Sequence, residues 1–295
     1  MTLRIGINPL TWTNDDLPEL GDSNSLETCL SEAKLAGYEG VELGRKFPRE
    51  ANVLGPILER HGLELVSGWY SARLLERSAE DEIKAVGANL DLLKKLGAKV
   101  MVFAEVSRCV HGDRAVPLSK RPRLAGNEWK PFCERLDAVA QYLEKQGVRM
   151  AYHHHMGTVV QAEGEVDRMM DGTRSAGLLL DTGHLTFAGG DPLRALKRHA
   201  KRIVHVHCKD IRKERLAEAR KRDWSFLDAV VGDVFAVPGD GSIDFEPILK
   251  GLAGSKYSGW LVVEADQDPA RAHPLTHARI GHDCLRPLAR RYWKA

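Results

Sequence analysis

The feature that most constrains the fold is an alternation of short β-rich runs and longer amphipathic runs along the whole chain. The runs with strand character begin near residues 3, 40, 64, 99, 149, 178, 203 and 260. The runs between them have helical spacing of apolar residues, and those at 79–96 and 131–146 stop at Gly97 and Gly147, as helices often do. Parallel strands need such helical crossovers. About eight βα units predict an α/β fold, a (β/α)₈ TIM barrel, with an open doubly wound sheet as the alternative.

Two segments interrupt this alternation, near residues 107–128 and 213–238. The first is rich in Arg, Pro and Gly, whereas the second is charged and then apolar. Insertions that follow barrel strands lie on the C-terminal face, where active sites form, so both segments are candidate lids or surface embellishments. The sequence shows no internal repeat and no interdomain linker. We therefore predict a single barrel domain over residues 1–295.

Composition and charge favour a protein that works on small molecules. The 43 basic and 41 acidic residues are mixed along the chain and give a net charge of +2, so no global field attracts nucleic acid or a membrane. The five cysteines are scattered without C-x-x-C spacing, which argues against disulfides and a structural zinc ribbon. No charged segment precedes an apolar run at the N-terminus, and no run of about 18 apolar residues occurs. We expect a cytoplasmic protein with neither a signal peptide nor a membrane span.

Four predicted strands end in side chains that bind metals or transfer protons. They are His153, His154 and His155 on the fifth strand, Asp181 and His184 on the sixth, His205 and His207 on the seventh, and Glu264 on the eighth. Parallel strands otherwise favour apolar side chains, and their C-terminal ends share one rim, so these residues predict a functional site. A mixed set of carboxylates and imidazoles suits Mn²⁺, Co²⁺, Fe²⁺ or Zn²⁺ better than Mg²⁺ or Ca²⁺.

Each of these residues also has a structural interpretation. An aspartate in the position of Asp181, directly after an apolar strand, is as often a helix N-cap as a ligand. His207 alone is as often a hydrogen-bonded core imidazole. Glu264 is the stronger candidate, because a carboxylate that closes a buried strand needs a cation or several donors.

Other strand ends carry weaker candidates. Glu42 and Lys209 could act as acid or base, or could form ion pairs across the rim. Asn8 and Trp12 follow the first strand, where an amide and an indole could line a polar pocket, although Trp12 could equally pack at the rim. We assign Asn8, Trp12, Glu42 and Arg212 to substrate binding as an expectation.

Six strings resemble the myo-inosose-2 dehydratases (2-keto-myo-inositol dehydratases), which belong to the xylose-isomerase-like TIM barrels. They are GINPLTWTNDD at 6–16, YHHHMGT at 152–158, LDTGH at 180–184, HVHCKD at 205–210, VPGDG at 237–241 and VEADQDP at 263–269. The resemblance runs from the first strand to the last. The first two strings are the more specific, whereas those at 180–184 and 205–210 resemble the wider superfamily.

The resemblance implies a single metal, which superfamily members bind through Glu, Asp, His and Glu on strands five to eight. Three of these positions match as Asp181, His207 and Glu264. The fourth departs, because histidines stand where relatives have the strand-five glutamate, and we take His153 as its equivalent ahead of His155. The departure removes one carboxylate of the pair that epimerases use for proton transfer, which favours elimination over epimerisation.

The activity that the resemblance implies is metal-dependent dehydration of 2-keto-myo-inositol, an inosose, to a trihydroxycyclohexane-1,2-dione in inositol catabolism. The implied enzyme is a lyase, a hydro-lyase, with Mn²⁺ or Co²⁺ as the metal and with a suggested need for a thiol such as glutathione. We expect Glu264 to be the base, and His153, His155, His184 or Lys209 to supply the acid.

Other functions stay open at this point. A ketose 3-epimerase or inosose isomerase would use the same metal-stabilised enediolate without losing a hydroxyl. A metal-dependent barrel acting on nucleic acid would need a basic groove, which the mixed charge does not favour. A non-catalytic sugar-binding protein is a further alternative. The expected partner is a small polyol ketone, neither nucleic acid nor a membrane is expected, and homo-oligomerisation is left open.

Overall fold

The structure, a computed structural model, describes residues 3–293, and in this part eight parallel strands close into a barrel. The strands are β1 (Arg4–Ile7), β2 (Gly40–Leu43), β3 (Glu64–Ala72), β4 (Val100–Glu105), β5 (Arg149–His153), β6 (Gly177–Asp181), β7 (Ile203–Cys208) and β8 (Trp260–Val263). Strands that follow one another in the chain are neighbours in the barrel, and β8 pairs with both β7 and β1. The predicted (β/α)₈ barrel is confirmed.

The extent of the domain stays a prediction. Of the range 1–295 that we assigned to one domain, residues 1, 2, 294 and 295 lie outside the described residues. Within the described range, no helix is both long and apolar enough to cross a membrane.

Helices lie between successive strands and after the last one. They are α1 (Leu26–Leu35), α2 (Ala51–His61), α3 (Ala79–Ala85), α4 (Gly87–Lys95), α5 (Trp129–Lys145), α6 (Glu163–Gly172), α7 (Thr182–Phe187), α8 (Pro192–His199), α9 (Lys213–Arg222), α10 (Phe226–Val231), α11 (Phe245–Gly254) and α12 (Pro274–Tyr292). The single helix expected over 79–96 is two helices, because the chain turns at Val86 and continues from Gly87, a poor helix former. The strand expected to include all three histidines at 153–155 ends at His153.

Two shifts of strand register lie beside the C-terminal rim. The pairing of β2 with β3 shifts between Val41 and Leu43, the stretch that contains Glu42. The pairing of β6 with β7 shifts after Ile203, so that His205 lies opposite Leu179. Such irregularities re-aim side chains and are common next to active sites. Here they set the directions of Glu42 and His205.

The segment 213–238 folds into a layer of its own at the C-terminal rim. It contributes α9, α10 and a strand, Phe235–Ala236, that pairs antiparallel with Asp210–Ile211. Buried apolar residues form a second core beneath this layer, separate from the main core between strands and helices. The segment 107–128 is irregular apart from one short turn of 3₁₀ helix, Leu118–Lys120, and lies against the layer, where Arg114 Nε binds Asp228 Oδ1 at 2.7 Å.

Candidate metal centre and active-site cavity

A cavity of about 160 Å³ opens at the C-terminal ends of the strands. Its volume lies below the roughly 300–1,000 Å³ of pockets for drug-sized ligands, which suits a small substrate. It is lined by Asn8, Leu10, Asp15, Asp16, Glu42, Leu43, Trp69, Ser71, Val102, His111, His153, His155, His207, Glu264 and Asp266. Four of the residues predicted from the strand ends, His153, His155, His207 and Glu264, line this cavity, which lies where active sites of this fold lie.

Two groups of buried donors stand at the floor of this cavity and behind it. Ligand atoms of His153, Asp181, His184 and Glu264 all lie within 4.8 Å of one another, and the same holds for those of Glu42, His205 and His207. The ring of His207 joins the groups, since its Nδ1 is 2.8 Å from Glu264 Oε2 and 3.6 Å from Asp181 Oδ2. The structure thus brings the four predicted metal ligands together.

Asp181 uses its two carboxylate oxygens in different ways. Oδ1 accepts a hydrogen bond from the backbone N–H of His184 at 2.7 Å and so caps α7. Oδ2 faces the donors, at 3.4 Å from His153 Nε2. Burial opposes ionisation, but the charge of Lys209 and neighbouring imidazoles hold the pKa of Asp181 well below its usual value. Asp181 is both a helix cap and an ionised group aimed at the cluster.

Asn8 links two of the carboxylates. Its Nδ2 donates to Glu42 Oε2 at 2.7 Å and to Glu264 Oε2 at 2.9 Å, while its Oδ1 accepts from Leu10 N, which fixes the orientation of the amide. Glu42 Oε1 accepts from the Ser67 hydroxyl at 2.5 Å. Asn8 and Glu42 line the cavity as expected of substrate-binding residues, yet their polar atoms already hold the site together.

Lys209 is a fully buried cation behind the cavity wall. Its Nζ lies 2.6 Å from Glu264 Oε1, 2.6 Å from Asp266 Oδ2 and 3.0 Å from His184 Nε2. Burial would lower its pKa, but the carboxylates of Asp266 and Glu264 raise it. A side chain at Gly183 would meet Lys209 Cγ at 2.5 Å, so the glycine gives room for the lysine stem. These contacts favour the ion-pair interpretation of Lys209 over the acid one.

The imidazoles of the cluster differ in their pKa: burial keeps His153 and His184 neutral, whereas burial at His207 is outweighed by Glu264 and Glu42, which raise its pKa well above the usual value. Burial is the main cause that lowers the pKa of His153 and of His184. The Nδ1 atoms of both rings are buried and have no hydrogen-bond partner among residues 3–293. Imidazoles whose ligand atoms lie within 4.8 Å of those of buried carboxylates fit a divalent transition metal, which binds neutral imidazole and carboxylate.

His155 is the histidine of the run that faces the cavity and lies outside both donor groups. Its Nδ1 donates to the carbonyl of Met156 at 2.8 Å, which leaves Nε2 as the unprotonated nitrogen of a neutral ring. The ring packs on His184, with centroids 4.0 Å apart, and on Phe226. His155 is thus oriented as a proton acceptor.

Two residues expected to bind substrate are not at the cavity. Trp12 is fully buried and donates its indole N–H to Glu32 Oε2 at 2.7 Å, so the rim-packing alternative describes it. Arg212 forms ion pairs with Asp233 at 2.7 Å and Asp240 at 2.5 Å, which tie the layer at 213–238 together. Neither side chain lines the cavity, and we withdraw both from substrate binding.

Sequence reasoning missed Ser71 and four titratable residues of the cavity lining. Asp15 and Asp16 are the last residues of the string at 6–16, so this string was a usable signal. Asp266 lies two residues after Glu264, and side chains two residues apart in an extended chain point to the same side. His111 belongs to the irregular segment 107–128, where no pattern indicates which side chain turns inwards.

Comparison with known proteins fits this geometry. Residues 30–288 match the family described as xylose isomerase-like TIM barrel. The chain belongs to this family. Among xylose isomerase-like relatives, the rhizopine catabolism protein MocC of Rhizobium meliloti is 52% identical over 290 residues, which span 98% of this chain and 89% of that protein. An inosose dehydratase of Clostridium perfringens, strain ATCC 13124, is 44% identical over 94% of each chain.

A solved structure shares the fold at low sequence identity. The crystal structure of the IolI protein with a bound zinc atom superposes with a TM-score of 0.70 at 17% identity, over 99% of this chain and 100% of that one. The predicted resemblance of this xylose isomerase-like barrel to inosose dehydratases is confirmed by the relatives at 43–45% identity.

Proposed function

We propose that this chain is a metal-dependent hydro-lyase that converts 2-keto-myo-inositol to a trihydroxycyclohexane-1,2-dione in inositol catabolism. The observation that carries the proposal is the cluster of carboxylates and imidazoles at the floor of a cavity of about 160 Å³. Identity of 43–45% over nearly the full length to proteins named inosose dehydratase supports the substrate.

Asp181, His207, Glu264 and His153 are the proposed ligands of a divalent metal, Mn²⁺ or Co²⁺. The clustering of ligand atoms of His153, Asp181 and Glu264 within 4.8 Å and the approach of His207 Nδ1 to two carboxylates support this set. When bound, the metal supplies Lewis-acid stabilisation of the negative charge that develops on substrate oxygens. Asn8 holds Glu42 and Glu264 in place beside it.

The proposed base is His155 rather than Glu264. Glu264 Oε1 lies 2.6 Å from Lys209 Nζ and its Oε2 lies 2.8 Å from His207 Nδ1, so neither oxygen is free to accept a proton from the substrate. His155 lines the cavity and presents an unprotonated Nε2. His184 and Lys209 do not line the cavity and serve to orient Asp181 and Glu264.

The remaining parts of the proposal concern the cellular compartment, the binding partner, a thiol and the oligomeric state. Five cysteines that are free in the described residues support a reducing compartment, and we propose the cytoplasm. The mixed charge supports a small polyol ketone as the partner, without nucleic acid or a membrane. A need for a thiol such as glutathione is carried over from the family resemblance as a proposal, and homo-oligomerisation stays open, as in the sequence analysis.

The test is to incubate metal-stripped protein with 2-keto-myo-inositol, with and without Mn²⁺ or Co²⁺, and to follow the ultraviolet absorbance of the conjugated dione. We expect the signal only with metal, and we expect Asp181→Asn to abolish it. The matched control is Asp91→Asn, which removes an exposed carboxylate paired with Lys95. A changed sugar without dione would mean a ketose 3-epimerase or inosose isomerase, and binding without turnover would mean a sugar-binding protein.

A further inference from the structure

We infer that His111 and Asp16 form the proton-donor pair that protonates the hydroxyl lost in the reaction. The inference rests on the proposed dehydration and assigns its missing acid. His111 belongs to the segment 107–128 and Asp16 to the loop after β1, so two loops from different strands build the pair.

Both side chains line the cavity and also reach its mouth. His111 Nε2 lies 3.7 Å from Asp16 Oδ1, within ion-pair distance, and the side chains are 15% and 31% exposed. His111 Nδ1 is buried and lacks a hydrogen-bond partner within the described part of the chain. A donor must face the substrate and must also be reprotonated after each turnover, and this pair has contact with both the cavity and water.

The position of His111 is fixed by the turn that follows the histidine run. Gly157 has a φ of +77°, and a Cβ there would come within 2.8 Å of the backbone nitrogen of His111. The N–H of Val110 donates to the Gly157 carbonyl at 2.9 Å. As a result the His111 ring packs edge-on against His155, with ring centroids 5.1 Å apart. The proposed acid and the proposed base therefore stand side by side.

The stereochemistry of the substrate calls for this arrangement. Oxidation of the single axial hydroxyl of myo-inositol leaves a ring ketone with only equatorial hydroxyls. The hydrogen on the carbon next to the ketone and the hydroxyl on the following carbon then lie on the same face of the ring. A base and an acid that serve these two groups must approach from one side, and the adjacent rings of His155 and His111, with centroids 5.1 Å apart, suit this requirement.

The step balances without any further reactant. His155 Nε2 takes the proton from the carbon next to the ketone, and the electron pair of that C–H bond forms the enediolate. As the enediolate collapses, its electrons form the new carbon–carbon double bond and the C–O bond of the next carbon breaks. The departing oxygen takes the proton of the His111–Asp16 pair and leaves as water. The pair regains a proton from solvent while His155 releases one.

The charges around the pair support a shared proton. Burial raises the pKa of Asp16 to about 6, with Lys209 lowering it and Glu264 raising it, and burial lowers the pKa of His111 against the effect of Asp266. Asp15, the carboxylate next to Asp16 in the chain, also lines the cavity. The two pKa values thus move towards each other, which suits two groups that exchange one proton.

The experiment compares His111→Asn and Asp16→Asn with His61→Asn, a control that removes a histidine from a carboxylate pair with Glu27 away from the cavity. Three rates are measured: dione formation, uptake of deuterium from D₂O at the carbon next to the ketone, and fluoride release from an analogue with fluorine in place of the lost hydroxyl. In His111→Asn we expect dione formation to fall about 10²–10⁴-fold, the typical contribution of a general acid. Deuterium uptake and fluoride release should change less than about tenfold, because neither needs that acid.

Equal losses in all three rates, or no loss of dione formation, would overturn the inference while leaving the dehydratase in place. Wild-type protein that forms no dione would overturn the proposed function and the inference together. Folding of each variant is checked by circular dichroism. If His111→Asn does not fold, Asp16→Asn provides the same comparison, with a smaller but equally selective loss of dione formation expected.

Discussion

Replacing Lys209 with methionine removes the cation that the buried carboxylates share, at little change in side-chain length. Nζ lies 2.6 Å from an oxygen of Glu264 and 2.6 Å from one of Asp266. At an effective dielectric constant of about 20, each attraction is on the order of 6 kcal/mol, and the cost of desolvating the ions offsets much of it. Breaking a buried pair by removing one partner typically costs about 3–5 kcal/mol. We expect the free energy of unfolding of the metal-free protein to fall by that amount.

The assay is urea unfolding followed by tryptophan fluorescence, in the presence of a chelator. The control Lys84→Met removes a lysine whose side chain is 78% exposed and pairs only with Asp81, and should cost less than about 1 kcal/mol. The loss in Lys209→Met should shrink as the pH falls, because burial raises the pKa of Asp266 and protonation then removes the unpaired charge. Adding Asp266→Asn should recover part of the loss. A cost no larger than that of Lys84→Met would refute the reasoning.

Three further predictions concern the metal, the loop contact and pH. Asp181→Asn should weaken binding of Mn²⁺, measured by isothermal titration calorimetry, at least about tenfold, whereas Asp91→Asn should not; equal affinities would exclude Asp181 as a ligand. Gly157→Ala should destabilise the protein and slow dione formation, because its Cβ would strike His111. The control is Gly147→Ala, where φ is +82° and the added Cβ would meet no atom within 4 Å. It should cost only about 1–2 kcal/mol of backbone strain and leave kcat unchanged. Burial raises the pKa of Glu105 to about 7, so the folded state holds a proton that the unfolded state releases near pH 4.5. The free energy of unfolding should fall by up to about 3 kcal/mol as the pH rises through this window, and Glu105→Gln should abolish that slope; an unchanged slope would contradict the assignment.

The barrel could be predicted because buried parallel strands leave a simple pattern. Each strand reads as a short apolar run, and the helices between them keep amphipathic spacing. Helix α12 was missed, since its charged residues and Pro287 weaken the helical pattern. It is anchored by contacts distant in sequence, such as the hydrogen bond from Tyr38 Oη to the carbonyl of Ala278.

The site residues at the strand ends could be predicted from the sequence, whereas the loop residues at the opening of the cavity could not. Asp181, His207 and Glu264 stand at or directly after the ends of strands, and the fold alone brings such residues together. Asp16 and His111 lie on irregular loops, and their approach depends on a turn at Gly157 that no local pattern reveals. The wrong placement of Trp12 and Arg212 has the same cause, because their side-chain directions are set by Glu32 and by Asp233 and Asp240.

The separate core beneath the layer at 213–238 supports two histidines of the site from behind. Phe226 and Phe235 pack against His184, and Phe226 also contacts His155, so the layer's own interior holds these two rings. Swinging the layer outwards would expose several buried aromatic and aliphatic side chains, at about 1.5–3 kcal/mol each, in every turnover. The layer is therefore a fixed support for these rings. Asp16 and His111 line the cavity with side chains 31% and 15% exposed, so an opening between their loops would admit small molecules while this core stays packed.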